Sequence, residues 1–149
     1  MKEFQIKKVE KKDLGRVQEI IYSCIDIAKK LNEKEKEFLK KKYSLKNLEK
    51  YSKNSDFFVV LYKKNIIASG RLTKKNEIAT IYVDPNLHGR GAGSTIVNFL
   101  VNFAKKKKRN FVFVRSLLQS TGFYERLGFS RKKLLFKPVM ALRMERKFY

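Results

Sequence analysis

The segment Ile81-Tyr82-Val83-Asp84-Pro85-Asn86-Leu87-His88-Gly89-Arg90-Gly91-Ala92-Gly93-Ser94 leaves an apolar strand and passes three glycines in five positions. A helix follows, because Ile96, Val97, Leu100, Val101 and Ala104 recur at three- and four-residue spacing. Glycines let a backbone come close to a ligand, and the N–H groups at a helix start have no partner within the helix. Strand, glycine loop and helix start together form an anion site, and Arg90 adds a charge beside it. Such a loop suits a pyrophosphate. Two familiar phosphate loops are excluded. A Walker A loop needs a lysine before its Ser/Thr, and here Gly93 runs directly into Ser94. A dinucleotide fingerprint needs glycine at 94 and an acid about 20 residues on, where residues 105–115 are basic, apolar or Asn.

Outward from this loop the chain alternates strand and helix signals. Residues 4–9 read as a short strand, and Asp13 as the cap of a helix reaching about Lys30 along Leu14, Val17, Ile21 and Ile25. Residues 32–53 are Lys/Glu-rich with sparse apolar anchors and predict one or two amphipathic helices. Residues 57–62 and 66–72 predict a hairpin, and residues 77–83 a third strand. A strand over residues 111–114, a short helix over 119–127 closed by Gly128, and two final strands complete the order. The expected architecture is a single α/β domain over residues 1–149. Its mixed, mostly antiparallel sheet has six to seven strands flanked by about four helices.

The loop His88-Gly89-Arg90-Gly91-Ala92-Gly93 resembles the acetyl-CoA signature of the GNAT superfamily of N-acetyltransferases, with His88 where Arg or Gln is commoner. Thirty residues on, Gly122-Phe123-Tyr124-Glu125-Arg126-Leu127-Gly128-Phe129 is similar to the Phe-Tyr-x-x-x-Gly-Phe element of the same family. The resemblance implies transfer of an acetyl group from acetyl-CoA to a primary amine, by direct attack in a ternary complex. It implies cofactor contacts at Ile81, Tyr82 and Val83, at His88, Gly89, Arg90, Gly91, Ala92, Gly93 and Ser94, and at Ser116, which with Leu117 stands where the family commonly has Asn. Tyr124 matches the tyrosine that protonates the departing thiolate, and a backbone N–H near Val83 would hold the oxyanion. Glu77 is the best carboxylate for the amine's proton, since only four acids follow residue 56; Tyr82 and His88 are weaker candidates.

Composition bounds these readings. At 149 residues and 43% hydrophobic the chain can bury a core. Its net charge is +22, of which residues 57–149 carry +16. That imbalance keeps a phosphate-bearing partner in view, and a basic nucleic-acid-binding protein is the alternative function; an acyl-CoA binder without catalysis is a further one. Neither an RNP-like aromatic pattern nor zinc-finger spacing accompanies the charge. Cys24 is the sole cysteine and His88 the sole histidine, so no metal is expected. No apolar run approaches a membrane span and the N-terminus lacks an apolar signal core, so a cytoplasmic monomer or homodimer is expected. So basic a surface is expected to repel polyamines and aminoglycosides, unless Glu33, Glu35 and Glu37 line the site, and to favour neutral or acidic small amines, amino acids or acidic peptides.

Overall fold

A computed structural model describes residues 3–149. Strand β1 (Phe4–Lys8) leads through a short 3-10 turn into helices α1 (Leu14–Ile27), α2 (Glu33–Lys42) and α3 (Leu45–Asn54). The meander β2 (Asp56–Tyr62), β3 (Asn65–Leu72) and β4 (Ile78–Val83) follows, then α4 (Ala92–Lys106). Strand β5 (Phe111–Leu117), helix α5 (Thr121–Arg126), β6 (Ser130–Leu135) and β7 (Ala141–Lys147) finish the domain.

As expected, the fold is mixed α/β with seven mostly antiparallel strands, here arranged as two sheets with orders β1-β2-β3-β4 and β5-β7-β6. A single parallel bridge, Glu77 to Phe113, joins them. The described residues hold five α-helices, in line with about four, and the Lys/Glu-rich segment forms the larger of the numbers expected for it, dividing at Tyr43 into α2 and α3. Ser44 starts the second of these by accepting from the Asn47 N–H at 3.2 Å. Asp13 does not cap α1 through its side chain. Its carboxylate instead accepts from the Glu10 N–H at 2.8 Å and lies 3.1 Å from the Lys7 ammonium, so it closes the preceding turn.

Both faces of the first sheet are covered, which is why β2 reads as an unbroken apolar run. Phe57 and Val59 pack with Val17, Ile21, Ile25 and Leu48 of α1 and α3. Val60 and Phe58 turn the other way, toward α4, where Ile96, Val97, Leu100 and Val101 are fully buried. Helix α4 lies close against β3 because residue 70 is glycine: a Cβ there would stand 2.7 Å from side-chain carbons of Ile81 and Ile96. Just beyond α4, Arg109 donates to Asn76 Oδ1 at 2.6 Å and to the Thr73 carbonyl. No helix among the described residues is long and apolar enough to cross a membrane.

Candidate active site

Where β4 and β5 part, a cavity of about 660 Å³ opens between the sheets. Strand β4 forms one wall along its whole length. The glycine loop lies at its far end and Glu77 at its near end, so the two ends are roughly 20 Å apart at the rise of an extended strand. Midway, β4 bulges: Ser69 and Arg71 of β3 face Tyr82 and Ala79, leaving one extra residue on β4. Thr80 takes φ +60° there, an uncommon conformation for a β-branched residue. Two bonds hold it, from Ser69 Oγ to the Thr80 carbonyl and from Arg71 Nε to Thr80 Oγ1, both 2.8 Å. The strand therefore departs from regular pairing at Thr80, three residues before Val83, where the splay was expected.

The loop is fixed at its base. Asp84 accepts from the Asn86 N–H at 3.0 Å and from Arg16 of α1 at 2.8 Å, and His88 Nε2 lies 2.8 Å from the Val83 carbonyl. Gly89 and Gly91 have φ of +78° and +91°, and Gly91 immediately precedes α4. The Gly91 carbonyl accepts from the Thr95 N–H at 3.0 Å, so the helix starts in register and its first-turn N–H groups point out of the loop. Gly93 leaves room for Phe123, whose ring edge would meet a Cβ at 3.3 Å.

Nearly every residue expected at the site lines this one cavity: Ile81, Tyr82, Val83, His88, Gly89, Gly91, Ala92, Gly93, Ser94, Ser116, Tyr124 and Glu77. Arg90 is exposed and outside the lining. Ser116 is buried, with its hydroxyl turned to the Leu117 carbonyl at 2.8 Å. Glu33, Glu35 and Glu37 do not line the cavity, and Glu35 instead joins Asn32 in a reciprocal cap at the start of α2.

Tyr124 packs edge-on against Phe123 and Phe129, with ring centroids 4.9 and 5.7 Å away. Its hydroxyl makes no bond to the described residues. No fully buried side-chain polar atom lacks a partner, so this hydroxyl faces the cavity. Burial, with Tyr43 nearby, raises its pKa well above that of a free tyrosine, and the group stays a neutral donor. Tyr82 is raised in the same direction by burial and by Tyr43, whose ring centroid is 5.4 Å away. Glu77 receives a bidentate pair from Arg115, with Nε and Nη2 at 2.8 and 2.9 Å. Cys24 donates to the Val83 carbonyl at 3.1 Å, and burial pushes its thiol up to about 11, which leaves it inert.

The sequence reading missed Lys42, Tyr43 and Arg115, which line the near end of the cavity, and Arg71 behind it. Arg71 and Arg115 carried a signal, for each is the sole charged residue in its strand. Lys42 carried none, standing in a helix where seven of ten residues are Lys or Glu besides it.

Comparison with known proteins agrees with this geometry. A structure of a GCN5-related N-acetyltransferase from Rhodopseudomonas palustris superposes with a TM-score of 0.90 at 14% identity, over 97% of this chain and 95% of that one. The PaiA N-acetyltransferase of Thermoplasma acidophilum, solved with coenzyme A, gives 0.82 at 20% identity over 98% and 99%. An uncharacterized N-acetyltransferase of Methanocaldococcus jannaschii is 39% identical over 62 residues, which is 40% of this chain and 27% of that protein's length. The chain thus spans about a quarter of that relative. Residues 26–144 match the profile of the acetyltransferase (GNAT) domain, and the chain belongs to the GNAT acetyltransferase family.

Proposed function

We propose that the chain moves the acetyl group of acetyl-CoA to a primary amine by direct attack. The observation that carries this reading is one cleft holding both an anion-binding helix start and the unpartnered Tyr124 hydroxyl. The free N–H groups at the start of α4 would take the pyrophosphate, and the pantetheine arm would run along β4 toward the bulge. There the amine lone pair attacks the thioester carbonyl carbon, and backbone N–H groups beside Thr80 meet the developing oxyanion. The C–S bond breaks, and the Tyr124 hydroxyl gives its proton to the thiolate. The amine's own proton leaves through water, which also returns a proton to the Tyr124 phenolate; Glu77, roughly 10 Å down the strand and paired with Arg115, could take it only by relay.

Calorimetry with acetyl-CoA on the native protein and on Gly91→Glu tests the loop. Residue 91 sits at the helix start with φ +91°, so a glutamate there brings both strain and a repelling charge. Binding that is lost in the variant supports the site. No binding to either protein removes the transferase reading and returns the net charge of +22 to a nucleic-acid partner. Binding without thiol release from any amine would leave an acyl-CoA binder.

A further inference from the structure

The near end of the cavity is far more basic than a site for a polycationic amine should be. Among the described residues that line the cavity, Glu77 is the only carboxylate, and both its oxygens are already taken by Arg115. Lys42 lines the same end, half-buried, with its ammonium 5.5 Å from the Tyr43 ring centroid. No carboxylate of the described residues lies within 4.0 Å of it. Arg71 stands behind Thr80 and Tyr43, almost fully buried, bonded only to the Thr80 and Ser55 hydroxyls and stacked 4.1 Å from the Tyr51 ring centroid. After the Glu77–Arg115 pair cancels, two cations remain with no acid against them. Buried charges that lack a partner are costly, and a protein usually keeps them only where something negative arrives.

We propose that Lys42 and Arg115 form the anchor for a carboxylate on the acceptor, so that the amine acetylated here belongs to an amino acid or an acidic peptide. The inference rests on the transferase reading above. Arg115 spends Nε and Nη2 on Glu77, which leaves Nη1 for the acceptor, and Lys42 supplies a second donor across the cavity end. From Glu77 to the bulge at Thr80 is three residues of strand, roughly 10 Å. A carboxylate at the cations and an amine at the bulge therefore fit within one small molecule or the first residues of a peptide. The electrostatics agree: burial first, then Arg115, push the Lys42 ammonium below a free lysine's pKa, and an incoming carboxylate would reverse that. A polyamine would meet the same cations as repulsion.

The test uses matched acceptors in a thiol-release assay: free amino acids against their α-carboxamides, a short Asp-rich peptide against its Asn counterpart, and spermidine. Carboxylate-bearing members should exceed their amides in kcat/KM by about 10–100-fold, the worth of a charge-assisted hydrogen bond. Lys42→Gln should shrink that ratio and Lys42→Glu should abolish or invert it, while the calorimetric affinity for acetyl-CoA stays within about threefold. Raised salt should shrink the native ratio as well. Preference for the amide or for spermidine, an unchanged ratio in Lys42→Glu, or no turnover of any carboxylate-bearing amine by protein that binds acetyl-CoA overturns the proposal. Failure to bind acetyl-CoA is a separate outcome, which removes the transferase reading and this proposal with it. A best rate on the peptide rather than the free amino acids identifies which source supplies the carboxylate.

Discussion

Replacing Tyr124 by phenylalanine separates chemistry from folding cleanly, because the atom removed bonds to none of the described residues. The ring keeps its edge contacts with Phe123 and Phe129, and the cavity gains only the volume of one oxygen. Stability should therefore stay within about 0.5 kcal/mol of the native protein, as for changes that leave packing and buried bonds intact. Acetyl-CoA affinity should likewise change little, since the proposed pyrophosphate contacts come from the start of α4. The rate is another matter. Under the proposed role, losing a positioned general acid should cost about 100–10,000-fold, which is roughly 2.7–5.4 kcal/mol at 1.36 kcal/mol per decade. Because burial holds the Tyr124 pKa above the ordinary tyrosine value, the native enzyme should show no loss of activity from this group between about pH 7 and pH 10. Steady-state kcat by thiol release, calorimetric affinity and a urea melt on the same preparations give the three readouts. A kcat within threefold of native, or a loss matched by an equal fall in stability, refutes the assignment of Tyr124 as proton donor.

Gly70→Ala should destabilise the protein by about 1–3 kcal/mol in a urea melt, because its Cβ would press on Ile81, Ile96 and Leu100. The folded pKa values of Tyr43, Tyr82 and Tyr124 are all raised, so their contribution to stability is complete below about pH 10 and falls as pH climbs past it. Each costs up to about 1.4 kcal/mol per pH unit, visible as a steep loss in urea midpoint, while absorbance near the phenolate band should show fewer tyrosines titrating in the native state than in urea. Cys24, pushed up to about 11, should react with an aromatic disulfide at pH 8 about 100-fold more slowly in the native protein than in denaturant. An equal rate in both states would mean that the thiol is not buried against Val83.

Much of the architecture was legible because its signals are local. The glycine loop, the Phe123-Tyr124 element and the apolar spacing of α4 each lie within a dozen or so residues, and each stands where the sequence placed it. What could not be read was long-range. Nothing local to residues 77 and 113 announces that a lone bridge joins two sheets there. The bulge at Thr80 follows from its bonds to Ser69 and Arg71, residues about ten positions away on another strand. Asp13 looked like a helix cap by position, yet the carboxylate is held by Lys7 and the Glu10 N–H of the turn before it. The pairing of Glu77 with Arg115 spans 38 residues, so a carboxylate that looked like a free base is an ion-paired one.

The strand order β5-β7-β6 has a consequence for how the molecule comes into being. During synthesis β5 and β6 are both made before the strand that must lie between them, since β7 ends at Lys147. Until then the first four strands can pair with sequence neighbours, while the second sheet has two outer strands and no middle. Its apolar residues Val112 and Val114, with Phe129 just ahead of β6, must wait for Met144 to arrive among them. A nascent chain would thus carry a finished glycine loop long before it had a finished cleft. The wall that bears Tyr124 closes last.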